Sequence, residues 1–237
     1  MFEKSIKLVS HILTVFVMFF LADGFYLAQK GFVWNNGTIE LVKPAQAAEP
    51  VSQNIDTRSF KIEAQYVLGR HDAPVTIYEF SSLGCSHCAD FHLGVLPKIK
   101  QDYIESGKVK LIFADFPIDK KSMQAAMLAH CMAQDKYFDF LGLLFKKQLT
   151  WGLSFKTEKL LSGYAGGFGL DSETAKKCMK DDKMAAEIMY VRQQAMERLN
   201  IKATPSFLVR SSGGDDLITG APSYSELSEV LNKKLLD

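Results

Sequence analysis

Three kinds of hydrophobic pattern follow one another along the chain. The first is an almost unbroken apolar run, HILTVFVMFFLADGFYLA at residues 11–28, interrupted by His11, Asp23 and Gly24. It has no amphipathic period, which argues against a core helix. Lys4 and Lys7 precede it, so it has the basic head and apolar body of an export signal. Counted from Leu8 to Ala28 it is also close to the ~20 apolar residues that cross a bilayer. A small-x-small cleavage motif, Ala45-Gln46-Ala47, lies well beyond the run, and a cut after Ala28 would place bulky Tyr26 at the −3 position. A cleaved signal with a long tail and an uncleaved anchor both fit residues 1–47. Either one exports residues 48–237, because the lysines that stay inside lie N-terminal to the apolar run.

The second pattern is short and extended. Residues 48–58, AEPVSQNIDTR with further alanines before them, read as a linker, and a short strand is expected at residues 60–66. Pro74 then hands over to VTIYEF at residues 75–80, a β-branched and aromatic run that reads as a buried strand. From Ser86 onward Phe91, Val95, Ile99 and Tyr103 recur in four-residue steps, which predicts a helix, with a kink at Pro97 inside it. Gly107 ends that helix, and VKLIFADF at residues 109–116 is a second strand, completing a βαβ unit.

The third pattern is helical. Residues 120–149 and 172–199 carry helical spacing, separated by the glycine-rich SGYAGGFGL. A strand at residues 206–209, a Gly-Gly-Asp turn, a short strand at residues 217–219 and a helix from Tyr224 close the chain. A βαβ half and a ββα half make an α/β fold with a central mixed sheet, and the all-helical part, at about residues 119–200, is an insertion into it.

Composition agrees with one domain. The 237 residues are 47% hydrophobic and 23% charged, enough for a sizeable core in residues 59–237. Lys4, Lys7, Lys30 and Lys43 stand against Glu3, Asp23 and Glu40 in the first 47 residues, and the remaining 24 basic and 24 acidic residues are balanced. With no basic stripe, nucleic-acid binding is excluded as a working reading.

The candidate chemistry lies in SSLGCSHCADFH, residues 81–92. Covalent haem attachment needs histidine directly after the second cysteine, and residue 89 is alanine. A zinc ribbon needs a second close ligand pair, whereas Cys131 and Cys178 are lone cysteines in helical segments. A copper-binding module using Cys85, His87 and Cys88 stays open but does not account for the large helical part. Two inert thiols would not explain why both sit where a strand turns into a helix. A redox dithiol would. Cys85 falls at the helix N-cap, where unpaired amides and the positive end of the dipole stabilise a thiolate, and His87 adds a donor and, when protonated, a charge. A stabilised thiolate favours the dithiol form and makes the disulfide a strong oxidant. Cys85 is then the sulfur that forms mixed disulfides, and Cys88 the resolving thiol. His71, His92 and His130 read as loop, packing or surface residues, and the methionines as core, with an exposed subset suited to a peptide groove.

EFSSLGCSHCADFH, then FADFP at residues 113–117, then TPSFLV at residues 204–209, in that order and spacing, resembles the DsbA-like branch of the thioredoxin superfamily, above all its periplasmic members in alphaproteobacteria. The resemblance covers about residues 60–237. It implies a thioredoxin-like fold with an inserted helical domain, and protein dithiol:disulfide oxidoreductase activity without a metal or organic cofactor. Glu79, six positions before Cys85, matches the family's buried acidic residue. It shares a strand face with Val75 and Ile77, so it should be desolvated, with a raised pKa, and able to exchange a proton with Cys88 directly or through water. The family places a cis proline at Pro205, opposite the dithiol, leaving Thr204 backbone groups for an extended substrate. Relatives also bridge the positions of Cys131 and Cys178, which implies a structural disulfide here. Ser86-His87 departs from the Pro-His of strongly oxidising relatives; the histidine is kept.

The implied partners are reduced or unfolded exported proteins and a quinone-linked membrane oxidase, in the bacterial periplasm, with the chain a monomer touching the membrane only through its N-terminal segment. A disulfide isomerase or reductase using the same site is the nearest alternative, although isomerases of the superfamily generally carry an oligomerising segment.

Overall fold

The computed structural model describes residues 32–35, 38–41, 57, 60, 62 and 66–236. The apolar run, the Ala45-Gln46-Ala47 motif and all of the 48–58 linker except Thr57 lie outside the described residues. The chain divides into two units, Met1–Asn54 and Ile55–Asp237.

In the first unit β1 (Phe32–Asn35) pairs antiparallel with β2 (Thr38–Leu41), Asn35 opposite Thr38. Asn36-Gly37 between them is a strong hairpin signal. The hydrophobic pattern assigns this stretch to the tail after the apolar run.

The second unit is built on a four-stranded sheet in the order β4 (Val109–Asp115), β3 (Val75–Ser81), β5 (Ser206–Ser211), β6 (Gly214–Thr219). β3 and β4 run parallel, and β5 and β6 join antiparallel on the other side. The hairpin between β5 and β6 is tighter than expected, since Ser211 pairs directly with Gly214. Of the strand expected at residues 60–66, the described residues Phe60, Ile62 and Tyr66 are outside the ladder, and just beyond them Leu68 makes an isolated bridge to Leu111. Arg210 instead holds this segment by hydrogen bonds to the carbonyls of Phe60 and Thr57 while pairing with Asp215.

Strand alternation divides the core. Val75, Ile77, Val109, Leu111, Phe113, Phe207 and Val209 point to one face and join the helices there in one cluster. Phe80, Ala114 and Leu208 point to the other, where they meet Phe60, Ala195 and Leu199.

The helix after β3 is not regular. It runs as α1 (Ser86–Asp90), a π-helical turn (Phe91–Val95), α2 (Leu96–Ile99) and a second π-helical turn (Lys100–Ile104). Leu96 N–H bonds to the Phe91 carbonyl, five residues back. One residue more per turn slides the buried stripe along by one. Leu96 is therefore in the core where four-residue steps pointed to Val95, and Phe91 and His92 are both buried. Pro97, which lacks an N–H, sits immediately after this change of register.

The helical region comprises α3 (Lys120–Ala129), α4 (Tyr137–Lys146), α5 (Gln148–Gly152), α6 (Thr157–Gly166), α7 (Ser172–Cys178) and α8 (Asp182–Leu199). The expected glycine break starts later than the pattern suggested, because α6 continues through Ser162 and Gly163. α8 serves both parts. Ile188 packs with Ala126 and Met127 of α3, while Ala195 and Leu199 cover the sheet. α9 (Tyr224–Lys234), capped by Ser223 and Glu226, sends Leu227 and Leu231 into the main cluster.

Candidate active site

β3 ends at Ser81, and four residues later Cys85 caps α1 with an extended backbone (φ −90°, ψ 124°). The turn between is held by Cys85 N–H on the Ser82 carbonyl at 3.0 Å and Gly84 N–H on Ser82 Oγ at 3.2 Å. It is also packed from the helical region. A Cβ on Gly84 would come within 3.1 Å of the Ser122 Cβ, so a larger residue directly before Cys85 would press on the start of α3. Gln148, at the start of α5, donates to the carbonyls of Leu83 (2.7 Å) and Cys85 (2.9 Å). Sequence pattern offered no pointer to Gln148, which is separated from its acceptors by more than sixty residues.

The two sulfurs are unbonded and unequal. Cys85 is half-buried and Cys88 fully buried. Cys85 Sγ donates to the Thr204 carbonyl at 3.3 Å. The Cys88 thiol, hydrogen-bonded to Cys85 Sγ, is the largest influence on Cys85. Burial works against it, and a hydrogen bond with the Thr204 side chain and the backbone amides of Cys88 and His87 add to it, holding Cys85 down at about 5. The same contact and its own burial push Cys88 far up, against smaller opposing pulls from the Ser81 hydroxyl and the Ser82 amide. The helix-terminal amides predicted from sequence are thus present, but the neighbouring thiol outranks them. His87 contributes its amide. Its imidazole stands exposed, 3.8 Å from Asp90 Oδ2.

Thr204-Pro205 is cis and lies beside Cys85. The Thr204 carbonyl accepts from Cys85 only while that thiol carries its proton; the thiolate favoured above about pH 5 has no proton to give it.

Glu79 is fully buried on the β3 face shared with Val75, Ile77 and Ser81. Its partner is His92, whose Nε2 lies 3.0 Å from each carboxylate oxygen. His92 stacks on Phe145 at 4.2 Å and meets the edges of Phe113 and Phe91. From sequence alone His92 reads as a packing or surface residue. The signal that could have found it is its spacing, four residues after Cys88 on the inward face of the same helix.

His130 is also more than a surface residue, with Nε2 2.7 Å from Asp115 Oδ2 at the end of β4. The next residue, Cys131, forms a disulfide with Cys178, joining the turn after α3 to the end of α7. His71 lies in an exposed turn, while Met127, Met132 and Met179 are in the core and Met189 and Met196 are exposed.

Residues 61–233 match the Thioredoxin family. Disulfide bond formation protein D of Bacillus subtilis is 31% identical over 179 residues, 73% of this chain and 78% of that one. A protein of Rickettsia bellii is 30% identical over 175 residues, 71% of this chain and 67% of that one. The crystal structure of Wolbachia pipientis alpha-DsbA1 superposes with a TM-score of 0.65 at 31% identity, covering 71% of this chain and 89% of that one. A paired-cysteine helix terminus on this sheet, with these likenesses, leads to one assignment: the chain belongs to the thioredoxin family and is a protein-disulfide oxidoreductase of the DsbA type.

Proposed function

We propose that the protein works in the bacterial periplasm as a dithiol oxidase, passing a Cys85–Cys88 disulfide to reduced exported proteins. One observation carries this reading: the two sulfurs of the pair have opposite acidities. In the disulfide form a client thiolate attacks Cys85 Sγ. The Cys85–Cys88 bond breaks, a mixed disulfide forms, and Cys88 leaves, taking up a proton. A second client thiolate then attacks the client sulfur and expels Cys85. A thiol of low pKa is the better leaving group, so this last step is favoured and the dithiol form is the stable product.

Glu79 is suited to supply the proton that Cys88 takes up. It lies two residues before Ser81 on one strand face, and the Ser81 hydroxyl acts on the Cys88 sulfur. Thr204, with Pro205, borders the sulfur that forms the mixed disulfide, where an extended client segment can add alongside the chain. A quinone-linked membrane oxidase is the reading's source of new disulfides, and residues 1–47 its export or anchoring segment, with the chain acting as a monomer.

Reoxidation of reduced, denatured ribonuclease, compared with reactivation of scrambled ribonuclease, tests the reading. Fast oxidation with poor reshuffling is expected. Efficient reshuffling with slow oxidation would assign an isomerase instead.

A further inference from the structure

Away from the cysteines the helical region opens into a cleft of 930 Å³, with Lys120, Lys156, Lys159 and Lys176 around it. None of the four has a carboxylate partner among the described residues. The fifth lysine there, Lys121, is already committed to the carbonyls of Gly152 and Ser154. Glu158, the carboxylate on the lining, is engaged by Gln124 at 2.8 Å.

The placement of these lysines is against local electrostatics. Helix N-termini carry partial positive charge and favour acidic residues in the first turn. Lys120 opens α3 directly after its capping residue Asp119, while Lys156 and Lys159 flank the start of α6 on either side of one acidic residue, Glu158. α6 also has no side-chain cap, so its first amides are open to an outside acceptor. The uncapped start of α6 and four ammonium groups without carboxylate partners among the described residues face one cleft. A further donor lies in its lining: the Ser162 hydroxyl is buried without a hydrogen-bond partner, on a residue 7% exposed. A buried hydroxyl left without a partner beside four ammonium groups that no described carboxylate pairs leaves room for an outside acceptor.

We propose that this cleft is a binding site for a phosphate-bearing anion. Apart from the Glu158 carboxylate, the available groups are donors: ammonium point charges from three helices, backbone amides at the start of α6 and a hydroxyl. Lysines converging from several directions suit a multiply charged tetrahedral oxyanion, whereas a planar carboxylate is best met by the fork of arginine, and no arginine lines the cleft. Phe155, fully exposed on the same lining, offers a wall for an apolar portion of the ligand.

Calorimetric titration of the full chain with pyrophosphate tests this. Saturable binding that weakens with added salt is expected. Lys156→Gln with Lys159→Gln should weaken it by at least about tenfold, while oxidation of reduced ribonuclease is unchanged. If that pair disturbs folding, Lys120→Gln with Lys176→Gln, from the opposite side of the cleft, should give the same loss. Flotation with phosphatidylglycerol and phosphatidylcholine vesicles identifies the source. A lysine-dependent preference for phosphatidylglycerol assigns a lipid headgroup, and pyrophosphate binding without it assigns a free phosphate compound. The N-terminal apolar segment is common to all the proteins compared, so it cannot produce the difference. Pyrophosphate and vesicle binding that are both absent, or that both variants retain at wild-type strength, would overturn the proposal.

Discussion

Both oxygens of Glu79 lie 3.0 Å from His92 Nε2, and neither side chain has meaningful contact with water. A strand residue and a helix residue 13 positions apart are thereby tied beneath the cysteine pair. Removing one member strands the other in an apolar box of Phe91, Phe113 and Phe145. His92→Ala should therefore cost about 3 kcal/mol or more in urea unfolding. The double variant Glu79→Leu, His92→Phe should recover most of that stability, because two apolar groups leave no unpaired polar atom. If the single and double variants are equally unstable, the pair does not hold the site together.

The acidity of Cys85 makes the dithiol form sensitive to pH in a definite direction. Its folded value, about 5, lies below that of an unfolded thiol. Between the two values the unfolded chain binds the extra proton, so dithiol stability rises with pH. The contribution is complete above the unfolded thiol pKa and is lost as pH falls through about 5. Melting temperatures of dithiol and disulfide forms from pH 4 to 8, below the range where the raised pKa of Cys88 acts in the opposite sense, should show the dithiol's relative advantage growing with pH. A gap of constant size across that interval would place the thiolate elsewhere.

Cys88→Ala should trap client proteins on Cys85, since the resolving thiol is gone. It also removes the largest influence on Cys85. Thiolate absorbance at 240 nm should therefore titrate at a higher pH in Cys88→Ala than in the parent, leaving the amides of residues 87 and 88 and the Thr204 side-chain hydrogen bond as the remaining support. An unchanged titration would return the leading role to the helix terminus. Cys85→Ala should abolish oxidation while the domain still melts cooperatively.

The strands, the CxxC helix and the helical region were legible in the chain because each rests on a local period. Val75, Ile77 and Glu79 shared a face by simple alternation, and the structure keeps them there. What escaped depends on register or distance. Four-residue steps pointed to Val95, and a π-helical turn buries Leu96 instead. Phe60 and Tyr66 are buried by side-chain packing without joining the ladder, so their apolar character imitated a strand. His92 and His130 each meet an acid on a different element, and no single-sequence period reports such a pairing. The Cys131–Cys178 connection came from likeness to a family, since isolated cysteines 47 residues apart carry no local signal.

That second disulfide closes a loop large enough to matter. In the chain-entropy account a bridge over 47 residues stabilises by about 4 kcal/mol. Cys131→Ala with Cys178→Ala should lower the unfolding free energy by roughly 3–5 kcal/mol in urea. The m-value should also rise, because an unlinked unfolded chain exposes more surface. A loss below about 1 kcal/mol would mean that the helices hold their ends together without the bond.

His130 gives a pH dependence of the opposite sign. Burial disfavours its charge, but the hydrogen bond and charge of Asp115, with Glu187 adding to them, outweigh burial and raise its pKa. A base whose folded pKa is raised stabilises the fold fully below its unfolded value, about 6.5, and loses that contribution as pH rises through the folded value. Asp115→Asn keeps the burial and removes the attraction. His130 should then titrate below an ordinary histidine in an NMR pH series, the reverse of its behaviour in the parent. The variant's loss of stability should be larger at pH 5.5 than at pH 9, because the charged imidazole is the species that Asp115 supports. Equal losses at both pH values would show that the Asp115–His130 contact at 2.7 Å acts as a neutral hydrogen bond rather than an ion pair.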